Sequence, residues 1–445
     1  MINDPVNRES NGCLEKTKTL EVISNKRFYS SLLLAILGSV ISAYSIMLNS
    51  SQVRLFSLLL LAIAILRTPY KHRFSVLLYV IPFGGILKFP YFDFSFGTIL
   101  VGLFVLSWMF RSPRLTGLVV TIFLLLGLVA ATNLSTTPYL RYLGWLLNLI
   151  IMFIVISDLS ERSLIIEWVY CFSLGVLLTC VIAYFIPEIP LRVNLSKESI
   201  YVVEGNLFVR FQGLMQDPNY FSQILLVCIS LLVWSLSRLQ TFLRKTVTLL
   251  VLSMLTLFGI LSLSKMFLIV IPLPLIQLFL VSKNRKEFAR NTLFVMLTLL
   301  ITLVFFVLFE PSKLDTVVDV FRIRFSDPTS GRIAAQEIWI RSIPSNLDRL
   351  ILGYGLGAES GMLRYVNSTA PHNVYLEFLY MFGAVGSVLW VLWLLSLYKY
   401  SKSRTRSGSP RFADFFPMIV LLVTGFSLDG AAQDYLYFFW ILIIS

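Results

Sequence analysis

Thr369-Ala370-Pro371-His372-Asn373-Val374-Tyr375-Leu376-Glu377 ends a long polar segment and opens an apolar run that continues to Leu397. A run from 373 to 397 meets the roughly 20 residues that a helix needs to cross a bilayer, and the polar stretch before it cannot enter one. Pro371 suits the first turn of a helix, where its missing N–H costs nothing, so His372 is expected on the exposed N-terminal turn. His372 is one of only two histidines in the chain. The positive end of a helix disfavours an imidazolium and attracts phosphate through its free N–H groups. This turn therefore suits proton transfer beside a phosphate-linked substrate. The turn taken alone fits more readily a helix-start histidine held by interfacial hydrogen bonds.

The same alternation of apolar runs and charged connections fills the chain. Of its 445 residues 57% are hydrophobic and 14% charged, against about half and a quarter in soluble proteins. The expected fold is all-α, a polytopic transmembrane bundle of twelve to fourteen spans that occupies residues 28–445 behind a polar tail at 1–27. Apolar stretches fall at 28–48, 54–66, 74–91, 95–110, 115–133, 142–157, 164–186, 219–236, 246–262, 266–281, 291–309, 373–397, 412–428 and 434–445. The first follows a long polar tail and reads as an uncleaved span, not a secretory signal.

A net charge of +13 would suit nucleic acid if its basic residues were clustered. They instead fall in short connections, where they orient a chain in the membrane, so no nucleic-acid partner is expected. Lys16, Lys18, Lys26 and Arg27 precede the first span and place the tail in the cytoplasm. Most Lys and Arg then fall in the segments that alternation assigns to the inner side. The short outer segments hold only Arg54, Lys88, Arg141 and Lys265. Both termini are expected in the cytoplasm. Cys13, Cys171, Cys180 and Cys228 have neither metal-ligand spacing nor a place in an outer loop, so neither a metal site nor a disulfide is expected.

Two extracytoplasmic loops, 188–218 and 310–371, exceed the length of about 15 residues beyond which loops are uncommon unless functional or disordered. The larger is expected to be partly helical, with Ser330 or Asp327-Pro328 starting a helix through Arg341. At the end of the smaller loop, Asp217 and Pro218 read as the cap and first turn of the next span. Arg210 offers the fixed fork of donors that matches phosphate oxygens, or alternatively a lipid headgroup contact. Lys265 emerges between two apolar runs as a second phosphate contact or a snorkelling interfacial lysine. Arg332, after Ser330-Gly331, is a third cation. Gly353-Tyr354-Gly355-Leu356-Gly357 lacks the strand-turn-helix context of a dinucleotide site and reads as a turn. His72, in a basic cytoplasmic connection, reads as a headgroup contact.

Taken in order, Arg210 to Asn219 with its Arg-x-x-Gly-x-x-x-Asp-Pro-Asn spacing, Ser264-Lys265, Ser330-Gly331-Arg332 with Trp339, Gly353-x-Gly355-x-Gly357, and His372-Asn373-x-Tyr375-Leu376-Glu377 followed by Gly383 and Gly386 resemble the O-antigen ligase and O-antigen polymerase superfamily of bacterial membrane proteins. The resemblance covers residues 200–400. It implies a metal-independent and cofactor-free glycosyltransferase at the outer face of the cytoplasmic membrane. Its substrate would be a glycan on undecaprenyl pyrophosphate, with membrane lipids and a chain-length regulator protein as partners. The family's histidine corresponds to His372 and its external-loop arginine to Arg210. Where many relatives have Ser-Arg this chain has Ser264-Lys265, a cation without the bidentate fork.

The residues permit that chemistry. A sugar on pyrophosphate carries a good leaving group, so the enzyme must stabilise the departing charge and deprotonate an acceptor hydroxyl. Arg210, Lys265 and Arg332 are expected to do the first and His372 the second, with Asn373 and Tyr375 contacting substrate. Direct attack by one hydroxyl predicts inversion at the anomeric carbon. The expected activity is polymerisation of lipid-linked repeat units into O-antigen, capsular or exopolysaccharide. A ligase that moves finished polysaccharide to lipid A-core or another acceptor fits the same residues. An exporter of polysaccharide or lipid-linked sugar would instead need polar residues at mid-membrane.

Overall fold

The computed structural model describes residues 6–83, 96–109, 117–131, 139–159, 162–192, 200–203, 206–215, 217–282, 284–309, 318–319, 322, 332–341, 347–356, 372–404, 412–428 and 434–445. Within them every apolar stretch of the sequence is helical. The helices are α1 (Val6–Met47), α2 (Ser51–Arg67), α3 (Tyr70–Val80), α4 (Phe96–Met109), α5 (Gly117–Ala131), α6 (Tyr139–Ile154) and α7 (Arg162–Phe185). The short α8 (Glu188–Arg192) is followed by α9 (Pro218–Leu236), α10 (Phe242–Leu261), α11 (Lys265–Val270), α12 (Pro272–Val281) and α13 (Arg285–Phe309). Next come α14 (Arg332–Arg341), α15 (Leu347–Leu352), α16 (Val374–Arg404), α17 (Phe416–Gly425) and α18 (Asp434–Ile444). Five helices, including α7, α9, α10 and most of α16, are long and apolar enough to cross a membrane. That establishes a helical membrane-type protein.

Three elements differ from the sequence expectation. The tail read as a separate polar segment is helical from Val6 onward and continuous with the first apolar stretch, because no proline interrupts residues 6–47. The stretch 266–281 divides into α11 and α12 at Pro272, which lacks the N–H that would continue the ladder. The described residues fit the expected all-α fold apart from one short hairpin in the smaller loop. Strands β1 (Ile200–Val203) and β2 (Asn206–Val209) pair antiparallel with Val203 opposite Asn206, a register closed by a two-residue connection. Arg210 follows directly after β2.

The direction of each helix can be followed through its polar contacts. His72 and Glu167 join the starts of α3 and α7 through Nδ1 at 2.9 Å. Lys245 and Glu287 join the starts of α10 and α13 at 2.9 Å. Arg238, just past α9, meets Asp414, just before α17, at 3.1 Å. These pairs lie at one end of the bundle. His72 is thus hydrogen-bonded to the Glu167 carboxylate of a neighbouring helix, not only part of a basic connection. The other end gathers the starts of α9 and α16 with the ends of α10 and α17.

Between the two ends the helices hold each other mainly by apolar packing, with a few buried polar bridges. Ser230 donates to Gln277 Oε1 at 2.6 Å, and Gln277 Nε2 donates to the Ala413 carbonyl at 3.2 Å, which ties α12 to α9 and to the approach to α17. Gly175 is pressed so close to the Tyr79 carbonyl that a Cβ would lie 2.2 Å from it, so α3 and α7 touch backbone to backbone.

Candidate functional site

At the end where α9 begins, Asp217 caps the helix through Oδ1, accepting from Asn219 N at 2.6 Å and Tyr220 N at 3.3 Å, with Pro218 in the first turn. Both residues take the structural roles expected from sequence. The cap fixes Asn219, which is buried, and Asn219 Oδ1 accepts from Arg210 Nη2 at 3.4 Å and from Ser264 Oγ at 3.2 Å. Arg210 Nε donates to the Ser262 carbonyl at 2.9 Å. The guanidinium is only 1% exposed, so it lies inside the protein and not on a surface open to headgroups. Ser222 and Ser262 hydroxyls meet at 2.9 Å and fasten α9 to the end of α10.

The turn that supplies Ser262 and Ser264 is tight. Leu263 between them has φ 49°, a left-handed conformation uncommon outside glycine, asparagine and aspartate. It reverses the chain from α10 into α11 within three residues and presents both serines to Arg210 and Asn219. Lys265 opens α11 directly behind Ser264 and is half-buried. The Ser264-Lys265 pair picked out in the sequence therefore adjoins Arg210, although residues 210 and 262 are 52 apart in the chain.

His372 is placed differently from the sequence expectation. Helix α16 begins at Val374, and Asn373 is its cap, accepting from Tyr375 N at 3.0 Å and Leu376 N at 3.2 Å. His372 thus precedes the cap instead of riding on the first turn, and Pro371 lies outside the described residues. It too is left-handed, with φ 48°. Its carbonyl accepts from Gln336 Nε2 at 3.4 Å, and the same Nε2 reaches the Phe426 carbonyl at 3.4 Å. The large loop's helix α14 is thereby tied to His372 and to the end of α17.

Two side chains expected to contact substrate have local bonds. Asn373 Oδ1 serves the cap, satisfying donors that a free helix end would offer to an anion. The Tyr375 hydroxyl donates to the Leu422 carbonyl at 2.5 Å, and its ring lies 4.7 Å from Phe426. Tyr375 therefore braces α16 on α17. Glu377 is 1% exposed and belongs to the packed interior. Arg332 opens α14, but its side chain lies outside those described.

One bond joins the two groups. Gln223, five residues into α9, donates through Nε2 to Thr424 Oγ1 near the end of α17 at 2.9 Å, and both residues are buried. Tyr375 packs over Gly425, the next residue. The starts of α9 and α16 are thus held within about a helical turn of one level. The apolar run that contains Gln223 gave only one sign of this, a pair of polar side chains inside otherwise apolar helices, which are costly there and mark contacts or function.

The glycine-rich segment has a packing role. Tyr354 N donates to the Tyr380 carbonyl at 2.7 Å and Gly355 N to the Met381 carbonyl at 2.8 Å. Those carbonyls are freed because Gly383, at φ 64° and ψ −177°, breaks the helical ladder of α16. Trp339 of α14 meets Tyr380 edge-on at 4.8 Å, and the Tyr380 hydroxyl donates to the Trp339 carbonyl at 2.6 Å. The described helices of the large loop are therefore seated on the first two turns of α16. In comparisons with protein-family models, curated proteins and solved structures, nothing matches this chain.

Proposed function

We propose that this protein is a membrane glycosyltransferase that polymerises oligosaccharide repeat units carried on undecaprenyl pyrophosphate, with its active site on the extracytoplasmic face of the bacterial cytoplasmic membrane. Twelve to fourteen crossings, cytoplasmic termini and two long outer loops complete the reading. The observation that carries it is that Arg210, Asn219, Ser264 and Lys265, around the start of α9, lie at the same end of the bundle as His372, with Gln223 bonded to Thr424 between α9 and α17.

In this reading a fixed guanidinium and the adjoining Lys265 ammonium stabilise the pyrophosphate as it departs. Arg210 is held by Ser262 and Asn219, so its charge needs no rearrangement when the bond breaks. His372 accepts the proton of the attacking sugar hydroxyl. The hydroxyl oxygen bonds the anomeric carbon, the carbon–phosphate oxygen bond breaks, and the electron pair leaves with the carrier, which inverts the anomeric centre. Left-handed backbone at both His372 and Leu263 supports a functional reading, since strained conformations gather where geometry is held for chemistry.

His372→Ala is expected to lower transfer by about 10²–10⁴-fold, the usual share of a general base, in membranes that hold as much inserted protein as the wild type. Normal transfer in that variant removes the assignment. In a deletion strain, single repeats still delivered to their normal acceptor indicate the polymerase. Full-length chains stranded on the carrier indicate the ligase, and repeats trapped inside the cell indicate an exporter.

A further inference from the structure

A groove of about 1040 Å³ lies among α9, α16, α17 and α18. Gln223 and Tyr375 border it at the His372 end, and Arg238, Lys402 and Asp414 at the other. Beyond the break at Gly383, residues 384 to 402 of α16 cover about 27 Å of helix, close to the roughly 30 Å of a bilayer's hydrocarbon core. Between the ends the walls are apolar and aromatic, with Trp390, Leu394, Leu421, Leu436 and Trp440 among them. Val391 and Leu395, on the same wall, are more than half exposed, so the groove opens sideways from the bundle. A water-filled path would need polar groups through its middle; this one suits hydrocarbon.

The basic end identifies the occupant. Arg238 is held by Asp414 at 3.1 Å and lies 3.9 Å over the Trp234 ring, while Lys402 is exposed at the rim. Among the described side chains that line this end, two cations stand against one carboxylate, which makes a positive mouth on an apolar slot. We propose that the groove seats the acyl chains of an anionic phospholipid, with its phosphate at Lys402 and Arg238. The sugar carrier of the proposed reaction would enter the other way round, with its pyrophosphate at the His372 end. The proposed topology puts the Arg238 end on the cytoplasmic side, where anionic lipids concentrate. Only that side assignment rests on the proposed function, and the test below uses no transfer activity.

The three indoles on the groove provide the readout. The full chain is reconstituted in phosphatidylcholine vesicles that contain a small share of brominated phosphatidylglycerol or, in parallel, brominated phosphatidylcholine. The expected result is stronger quenching of tryptophan emission by the anionic lipid, reversed by unlabelled phosphatidylglycerol. The excess is lost in Trp390→Phe/Trp440→Phe and in Lys402→Gln, a rim substitution that leaves the packed interior intact. It rises in Asp414→Asn, which removes the opposing charge. Equal quenching by the two lipids in the wild-type protein overturns the proposal, as does an excess that survives Lys402→Gln. Reversal by a polyprenyl phosphate but not by phosphatidylglycerol also overturns it and assigns the groove to the carrier.

Discussion

Arg210 is where the candidate site and the packing of the helix ends meet. Its Nε and Nη2 donate to the Ser262 carbonyl and to Asn219, groups that come from two different helix ends. Arg210→Ala removes the donor to the buried Ser262 carbonyl, while Asn219 Oδ1 keeps Ser264 Oγ; one unsatisfied buried acceptor costs about 1–3 kcal/mol, and the melting temperature of the purified protein should fall accordingly. Arg210→Lys is the sharper variant. A lysine has no second donor set at a fixed angle and is more strongly hydrated, so it cannot hold both acceptors from a buried position. If the guanidinium stabilises the leaving group, the lysine protein should accumulate normally and lose about 10²–10³-fold in transfer, the range seen when one preorganised donor is removed. Unimpaired transfer would reduce Arg210 to a brace between α9 and α10. Residue type and loop single out Arg210 in the sequence, but its burial is not legible there, because Ser262 is 52 positions away. His372 was misplaced for a local reason. Pro371 offered a plausible first turn, yet Asn373, two residues on, supplies a side-chain acceptor for two helix donors and so decides where α16 starts.

At the scale of elements, the apolar runs were legible because a membrane span must satisfy its backbone internally and only a helix does so within one segment. The departures occur where a tertiary contact supplies the missing partner. Gly383 breaks α16 in a conformation that is essentially confined to glycine, and the carbonyls thus released are taken by Tyr354 and Gly355 from the large loop. Neither segment alone announces this. A Cβ on Gly383 would lie 2.3 Å from the Ile351 carbonyl, and one on Gly353 would lie 2.4 Å from that of Met381, so the two backbones touch and no side chain can yield. Gly383→Ala should straighten α16, expel the Tyr354–Gly355 segment and free α14 from Tyr380. The expected signs are faster proteolysis between residues 310 and 371 and loss of activity, with the span still inserted. A variant that resists protease as the wild type does would show that the seat on α16 survives without the glycine. The hairpin of β1 and β2 was missed because its four-residue strands adjoin a long loop and carry little periodicity of their own.

For the whole molecule, the argument rests on which helix ends meet. His72 with Glu167, Lys245 with Glu287 and Arg238 with Asp414 gather at one end. Arg210 with Ser262, Gln223 with Thr424 and Tyr375 with Leu422 gather toward the other. The two ends differ in chemistry: the Lys245–Glu287 and Arg238–Asp414 ion pairs, with partial access to solvent, at the first, and a buried guanidinium with the left-handed turns at Leu263 and His372 at the second. The basic connections that the positive-inside rule assigns to the cytoplasm, such as those around 238 and 402, coincide with the ion-paired end. Compartment reporters inserted in 188–217 and in 310–371 should therefore score alike, and opposite to reporters in 237–241 and 405–411. Agreement of the two long loops with each other tests the shared end, and their identity as extracytoplasmic tests the proposed orientation. If the loops score on opposite faces, Arg210 and His372 cannot serve one reaction. If they score together in the cytoplasm, they still form one site, but one facing a compartment that holds nucleotide sugars, and a carrier-linked donor would no longer be required.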